Sequence, residues 1–219
     1  MASPISLDRV STAAVASWNA VAPSRTAITA RMTTEQSPLV SARNSRERLR
    51  RQLFGKETII NVMSREIILK MLLENWKADY DYIIIDCMPS LGMLTVNALA
   101  ACDSVLIPAT AQYLSAKGLE LLLQTIAKVK KRINPQIRID GILITMFSDR
   151  TKISKEILNL MNDAYSEHIR IFDSKIPVSV KVGEANYRYK SVIEYDPKSK
   201  VALAYQDFGK EYLSYGNER

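Results

Sequence analysis

The chain has almost none of the residues from which metal cages, disulfide frameworks or histidine-centred catalysis are built. Its 219 residues hold two cysteines, Cys87 and Cys102, and one histidine, His168. Two cysteines are too few for a disulfide framework or a four-ligand zinc site, and a lone histidine has no second imidazole with which to share a metal. This usage suits a reducing cytoplasm. His168 falls near the end of a charged helical stretch and reads as a solvated surface residue rather than a base or ligand. No apolar run is long enough to span a bilayer, because Asp86, Asp103 and Lys117 interrupt the greasiest segments. What remains is the balance of a globular domain, 47% hydrophobic and 24% charged, long enough for one α/β core with some surplus.

The net charge of +7 points to nucleic acid only until it is located. Residues 1–54 carry eight arginines against Asp8, Glu35 and Glu47, so most of the excess sits there. These residues are rich in Ser, Ala and Thr, with no sustained hydrophobic period and no alternation that defines a strand. They read as a poorly ordered basic arm. They lack the amphipathic helix of a transit peptide and the apolar core of a secretory signal. "SARNSRERLRRQLF" is expected as a short basic helix, solvated or, as the weaker alternative, in contact with DNA or a membrane surface.

From about residue 57 the texture changes. "SREIILKMLLENW" puts Ile67, Ile68, Met71, Leu72 and Trp76 on one helical face, with Ser64 placed to cap it. A strand "YDYIIID", a helix "MLTVNALAAC", a strand "DSVLIPA" and a long amphipathic helix "GLELLLQTIAKVKKRI" follow. Then come a strand "IRIDGILITM", a helix "KISKEILNLMNDAY", a strand "IRIFDSKIP" and a terminal helix from about Lys198 to Tyr215. Strands alternating with helices predict an α/β fold in which a parallel sheet is covered on both faces. The cations of "KVKKR" end a helix, where they meet the negative end of its dipole.

In "YDYIIIDCMPSLG" the greasy run stops on Asp86. Ligands of an open parallel sheet bind beyond the carboxyl ends of its strands, so a strand buried on both faces can end in one polar residue that emerges into the site. A carboxylate there can hold Mg²⁺ through a water, since this ion keeps much of its hydration shell. Pro89 and Gly92 then give a stiff turn followed by a freely bending one. The spacing equally allows Asp86 to cap the next helix.

"YDYIIIDCMPSLGMLTVNALAACDSVLIP", "YLSAKGLELLLQTIAKVKKRINPQIRIDGILITM" and "IPVSVKVGE" together resemble the ParA/Soj chromosome and plasmid partition ATPases, a deviant-Walker branch of the P-loop NTPases. The likeness runs from roughly Asn61 to Tyr215. It implies a three-layer α/β/α P-loop NTPase-like domain over residues 55–219, with Asp86, Pro89 and Gly92 as the Walker B and switch II segment. It also implies ATP and Mg²⁺ as cofactors, a sandwich dimer, nucleoid-associated DNA binding in the cytoplasm, and a ParB-like centromere-binding partner.

The family's strand and glycine-rich loop, Lys-Gly-Gly-x-Gly-Lys-Thr, have no counterpart here. No two of the seven glycines lie close enough to build such a loop, and the only Gly-Lys pair, Gly55-Lys56, is preceded by "RRQLF". Phosphoryl transfer depends on positioning and charge neutralisation of the phosphates, so negligible ATP hydrolysis by this chain alone is expected, with no catalytic residue assigned. The strands that remain are expected to expose an edge or a face. A truncated or frameshifted gene, a fusion and a nucleotide-independent derivative all fit, the first best, because the similarity stops within a domain.

The resemblance further implies DNA contacts at Arg150 and Lys181, with Lys152 and Lys155 close by. "GEANYRYKSV" departs from the family's smaller, more Gly/Ser-like stretch, and Tyr187 and Tyr189 fit a packing role equally. Two functions stay open. One is a partition ATPase or its remnant. The other is a non-enzymatic DNA- or ParA-binding regulator that pairs with itself or with a full-length ParA.

Overall fold

A computed structural model describes residues 11–16, 28–30, 64–74, 82–87 and 92–217. Two compact units divide the chain, one from residues 1–105 and 124–138 and one from residues 106–123 and 139–219.

In the first unit, β1 (Ser11–Ala16) runs parallel to β3 (Tyr82–Cys87), in register from Ser11 opposite Tyr82 to Ala16 opposite Cys87. β2 (Ile28–Ala30) lies antiparallel on the other side of β3, giving the order β2-β3-β1. The sequence reading gave residues 1–54 no strand, so these two are a correction. "STAAVA" is small, barely alternating and weak in β-propensity; it forms a strand because β3 offers it a ladder, a tertiary effect with no local signal. The basic helix expected at "SARNSRERLRRQLF", like Gly55, Lys56, Trp76 and Pro89, lies outside the described residues.

Helix α1 (Ile68–Glu74) follows a turn in which Ser64 adopts φ 60° and its carbonyl accepts from the Ile67 amide. The buried positions are Leu69 and Leu73, while Met71 is 63% exposed, so the core-facing stripe is rotated from the one expected. Ser64 precedes the helix by too much to cap it. Instead the buried Asn97 side chain does so from α2 (Met93–Ala101): its Oδ1 accepts the Leu69 amide at 3.2 Å and its Nδ2 donates to the Arg65 carbonyl at 2.7 Å. Asn134 repeats the device at the other end of α2, donating to the carbonyls of Leu99 (3.0 Å) and Cys102 (2.7 Å). Each satisfies helix-end groups that would otherwise be buried without partners.

β4 (Ser104–Thr110) and α3 (Tyr113–Arg132) each contribute to both units. β4 is buried along almost its whole length, as a strand covered on both faces should be, and α3 ends in Lys130, Lys131 and Arg132 as expected.

In the second unit the strand order is β4-β5-β6, with β5 (Arg138–Phe147) and β6 (Ile171–Pro177) parallel. Their pairing shifts register twice, between Ile142 and Ile144 and again before Phe147. α4 (Lys152–Tyr165) buries Ser154, Ile157 and Met161, the stripe of an amphipathic helix. The core gathers Leu143, Phe172, Ile176 and Val201, with Phe208 and Tyr212 packed against it. Gly141 has φ 153°, and a Cβ there would meet the Phe172 ring at 2.7 Å and the Arg170 carbonyl at 2.8 Å. Two short helices, α5 (Val180–Tyr187) and α6 (Val192–Tyr195), add to the elements expected from the sequence. Gly183 and Asn186 are weak helix formers, and the caps decide the matter. Ser179 accepts the Lys181 amide, and Ser191 with Glu194 forms a capping box. α7 (Lys200–Asn217) closes the unit: Glu211 accepts the amides of Asp173 (2.8 Å) and Ser174 (2.9 Å) and pairs with Arg170 at 3.3 Å, and Tyr212 donates to Asp140 at 2.7 Å.

Candidate functional site

Asp86 is the penultimate residue of β3, opposite Val15 of β1. Ile83, Ile85 and Cys87 are buried on one face of the strand, while Ile84 is 43% exposed beside the half-buried Asp86 on the other. β3 is therefore covered on one face and exposed at Ile84 on the other, which corrects the expectation of a strand buried on both sides.

Burial pushes the Asp86 carboxyl above its usual range, because a charge withdrawn from water is disfavoured. Burial, with the Asp86 charge adding to it, pushes the Cys87 thiol up to about 12. The thiol is chemically inert in this setting, and its Sγ lies 3.8 Å from the Ile85 carbonyl.

Gly92 is the N-cap of α2, exposed, with φ −85° and ψ −175°, and its carbonyl accepts the Val96 amide at 3.1 Å. Asp86 is thus not the cap of the following helix. Pro89 is outside the described residues, and Asp86 and Gly92 stand at the two ends of the strand-to-helix connection.

Among the described residues no group of three or more His, Cys, Asp or Glu could hold a metal ion. Asp86 offers one carboxylate, which suits Mg²⁺, an ion that takes one or two carboxylates and keeps its waters. A half-buried carboxylate with a raised pKa is also a group that a cation would relieve. The fit stops there, since none of the 219 residues supplies a glycine-rich cradle for the phosphates.

The second group of expected site residues lies in the second unit. Arg150 is exposed in the turn after β5, and Lys152, also exposed, opens α4; Lys181 is partly exposed in the first turn of α5. Phe147 pairs with Pro177, and the Val178 amide donates to the Phe147 carbonyl at 3.1 Å, so β5 and β6 end together. The structure therefore brings all three cations to the same end of this strand pair. No acidic side chain occupies the first turn of α4 or of α5.

Sequence reasoning missed what holds Lys181. Its Nζ lies 3.0 Å from Glu184 Oε2, which also accepts from the Tyr195 hydroxyl at 3.0 Å. The hydrogen bond to Glu184 and its charge raise the Lys181 pKa, and hydrogen bonds from Lys181 and Tyr195 lower that of Glu184. The i,i+3 spacing of Lys181 and Glu184 was the available signal. His168 is exposed, as expected. Tyr187 and Tyr189 are 86% and 93% exposed, which excludes the packing role.

Parallel strands with flanking helices and an acidic strand tip define a class, the three-layer α/β/α P-loop NTPases. The crystal structure of cobyrinic acid a,c-diamide synthase from Mycobacterium smegmatis with bound ADP and magnesium superimposes with a TM-score of 0.60 at 31% identity, over 73% of this chain and 57% of that one. The family model described as AAA domain matches residues 32–139, beginning ahead of Asn61, where the resemblance in the residues begins. The sporulation initiation inhibitor protein Soj of Bacillus subtilis is 41% identical over 166 residues, 75% of this chain and 65% of that protein. The chromosome partitioning protein ParA of Myxococcus xanthus is 41% identical over 162 residues, 74% of this chain and 56% of that protein. The chain belongs to the ParA/Soj-type partition ATPase family, and it spans less than two thirds of the length of these relatives. Among the described residues no helix is long and apolar enough to cross a membrane.

Proposed function

We propose that the chain is a DNA-binding member of the partition family that does not hydrolyse ATP by itself. The observation that carries the DNA-binding reading is the convergence of Arg150, Lys152 and Lys181 at one end of the β5/β6 pair. Phosphate contacts need flexible positive charge on a shared surface and read no sequence, which suits non-specific binding to plasmid or chromosomal DNA. Asp86 would hold Mg²⁺ through a water, with Gly92 and Pro89 on the connection that follows it. The metal, when bound, supplies charge neutralisation to nucleotide phosphates. The remaining apparatus for gripping the triphosphate is missing from these 219 residues, so hydrolysis by the chain alone is negligible. A ParB-like protein and a second copy of the chain are the partners that this reading entails.

Titration of a duplex of arbitrary sequence at rising salt tests this reading. Replacing Arg150, Lys152 and Lys181 together by Ala should weaken binding uniformly and lower the slope of log K against log salt by about one for each phosphate that is no longer neutralised. Unchanged affinity and slope would remove these residues from the account. Saturable ATP binding by the isolated chain would contradict the argument about the phosphate grip.

A further inference from the structure

Tyr189 occupies a position where its side chain is a structural disadvantage. The Lys190 amide donates to the Ala185 carbonyl at 3.0 Å and the Tyr189 amide to the Asn186 carbonyl at 3.1 Å, the bond pair of a Schellman turn closing α5. Tyr189 is the residue after the cap, with φ 55°. That left-handed position normally takes glycine, because a Cβ is strained there. Burial does not offset the strain, since the Tyr189 side chain is 93% exposed and that of Tyr187 86%. Strain that the fold does not recover is a pointer to a contact made outside it.

The surroundings indicate which kind of contact. Exposed Arg188 and Lys190 alternate along the chain with the two tyrosines, and the Arg188 guanidinium lies 5.7 Å from the Tyr195 ring centroid. The neighbouring carboxylates are already engaged: Glu184 with Lys181 and Tyr195, and Glu194 in the capping box with Ser191. Two aromatic faces on a hydrogen-bonded turn, interleaved with guanidinium and ammonium groups, match what a single strand of nucleic acid offers, exposed π-faces joined by phosphates. We propose that the turn Tyr187–Lys190 binds unpaired bases of single-stranded DNA, with Tyr187 and Tyr189 as stacking platforms and Arg188 and Lys190 as phosphate contacts. This deepens the DNA-binding reading above and rests on it, but uses different residues.

The full chain would be titrated by fluorescence anisotropy with labelled oligothymidylate and with a duplex of equal length, at several salt concentrations. Tyr187→Ala and Tyr189→Gly should each weaken oligothymidylate binding by about fivefold or more. The salt slope should stay unchanged, because stacking releases no counterions. Tyr189→Gly should melt at the same temperature as the parent chain or higher, since glycine suits the turn, and this separates lost binding from lost folding. Single-strand affinity that survives both substitutions would overturn the proposal and leave the surface to a protein partner, with duplex binding through Arg150 and Lys152 still standing. A parent chain that binds neither probe would overturn both readings.

Discussion

The Lys181 ammonium group stands 3.0 Å from the Glu184 carboxylate, so a cation proposed to meet DNA is already engaged inside the fold. A phosphate must displace Glu184 before it gains Lys181. Glu184→Gln should therefore strengthen duplex binding a few-fold at low salt, and the gain should fade as salt screens the pair. Weaker binding in that variant would show that Glu184 positions Lys181 rather than competing for it.

Acid should loosen the attachment of α7. Burial alone would raise the Glu211 pKa, but hydrogen bonds from Ser174, Asp173 and Arg170 outweigh it and hold the group below its usual value. Its stabilisation is thus full above the ordinary carboxylate range and is lost as pH falls through the depressed folded-state value. Melting curves of Glu211→Gln and the parent chain should differ at neutral pH and converge in strong acid.

Asp86 should show the opposite sign. Its folded pKa is raised by burial, so the charged form disfavours folding at neutral pH and the penalty disappears below the ordinary carboxylate range. Asp86→Asn is expected to raise the melting temperature at about pH 7 and to leave it unchanged near pH 3. Cys87, with its thiol pushed up to about 12, should resist alkylation at about pH 8 until the chain is unfolded.

Two glycines should respond in opposite directions. Gly141→Ala forces a Cβ to within 2.8 Å of the Arg170 carbonyl at an unfavourable φ, and overpacking of this kind costs about 1–3 kcal/mol. Gly209→Ala, inside α7 with nothing within 4 Å of the added methyl, should stabilise by about 0.5–1 kcal/mol. Chemical denaturation of the two variants checks both.

The elements from β3 onward, apart from the short helices α5 and α6, were legible because their apolar residues repeat with the period of a strand or a helix, and Asp86 was legible because it interrupts such a run. The same reading failed where the deciding partner lies far away in sequence. Nothing in "STAAVA" announces β1; the ladder is supplied by Tyr82–Cys87. Asn97 and Asn134 gave no sign of capping α1 and α2, since each acts on carbonyls or amides about thirty residues distant. The rotated stripe of α1 shows the limit of periodicity in a seven-residue helix, where Leu69 and Leu73 compete with Met71 for the same core. At Arg150, Lys152 and Lys181, the residue types were visible but their convergence depended on β5 and β6 ending together.

The uneven pairing of β5 with β6 has a consequence for how this protein tolerates crowding. β6 is the last strand of its unit, with Lys175 along it and Pro177 at its end. A strand that slips register against its own neighbour gives an incoming chain no regular row of donors and acceptors to copy, and proline and lysine discourage the attempt further. That border is guarded against fibril growth by irregularity and by Glu211, whose carboxylate occupies the amides of Asp173 and Ser174.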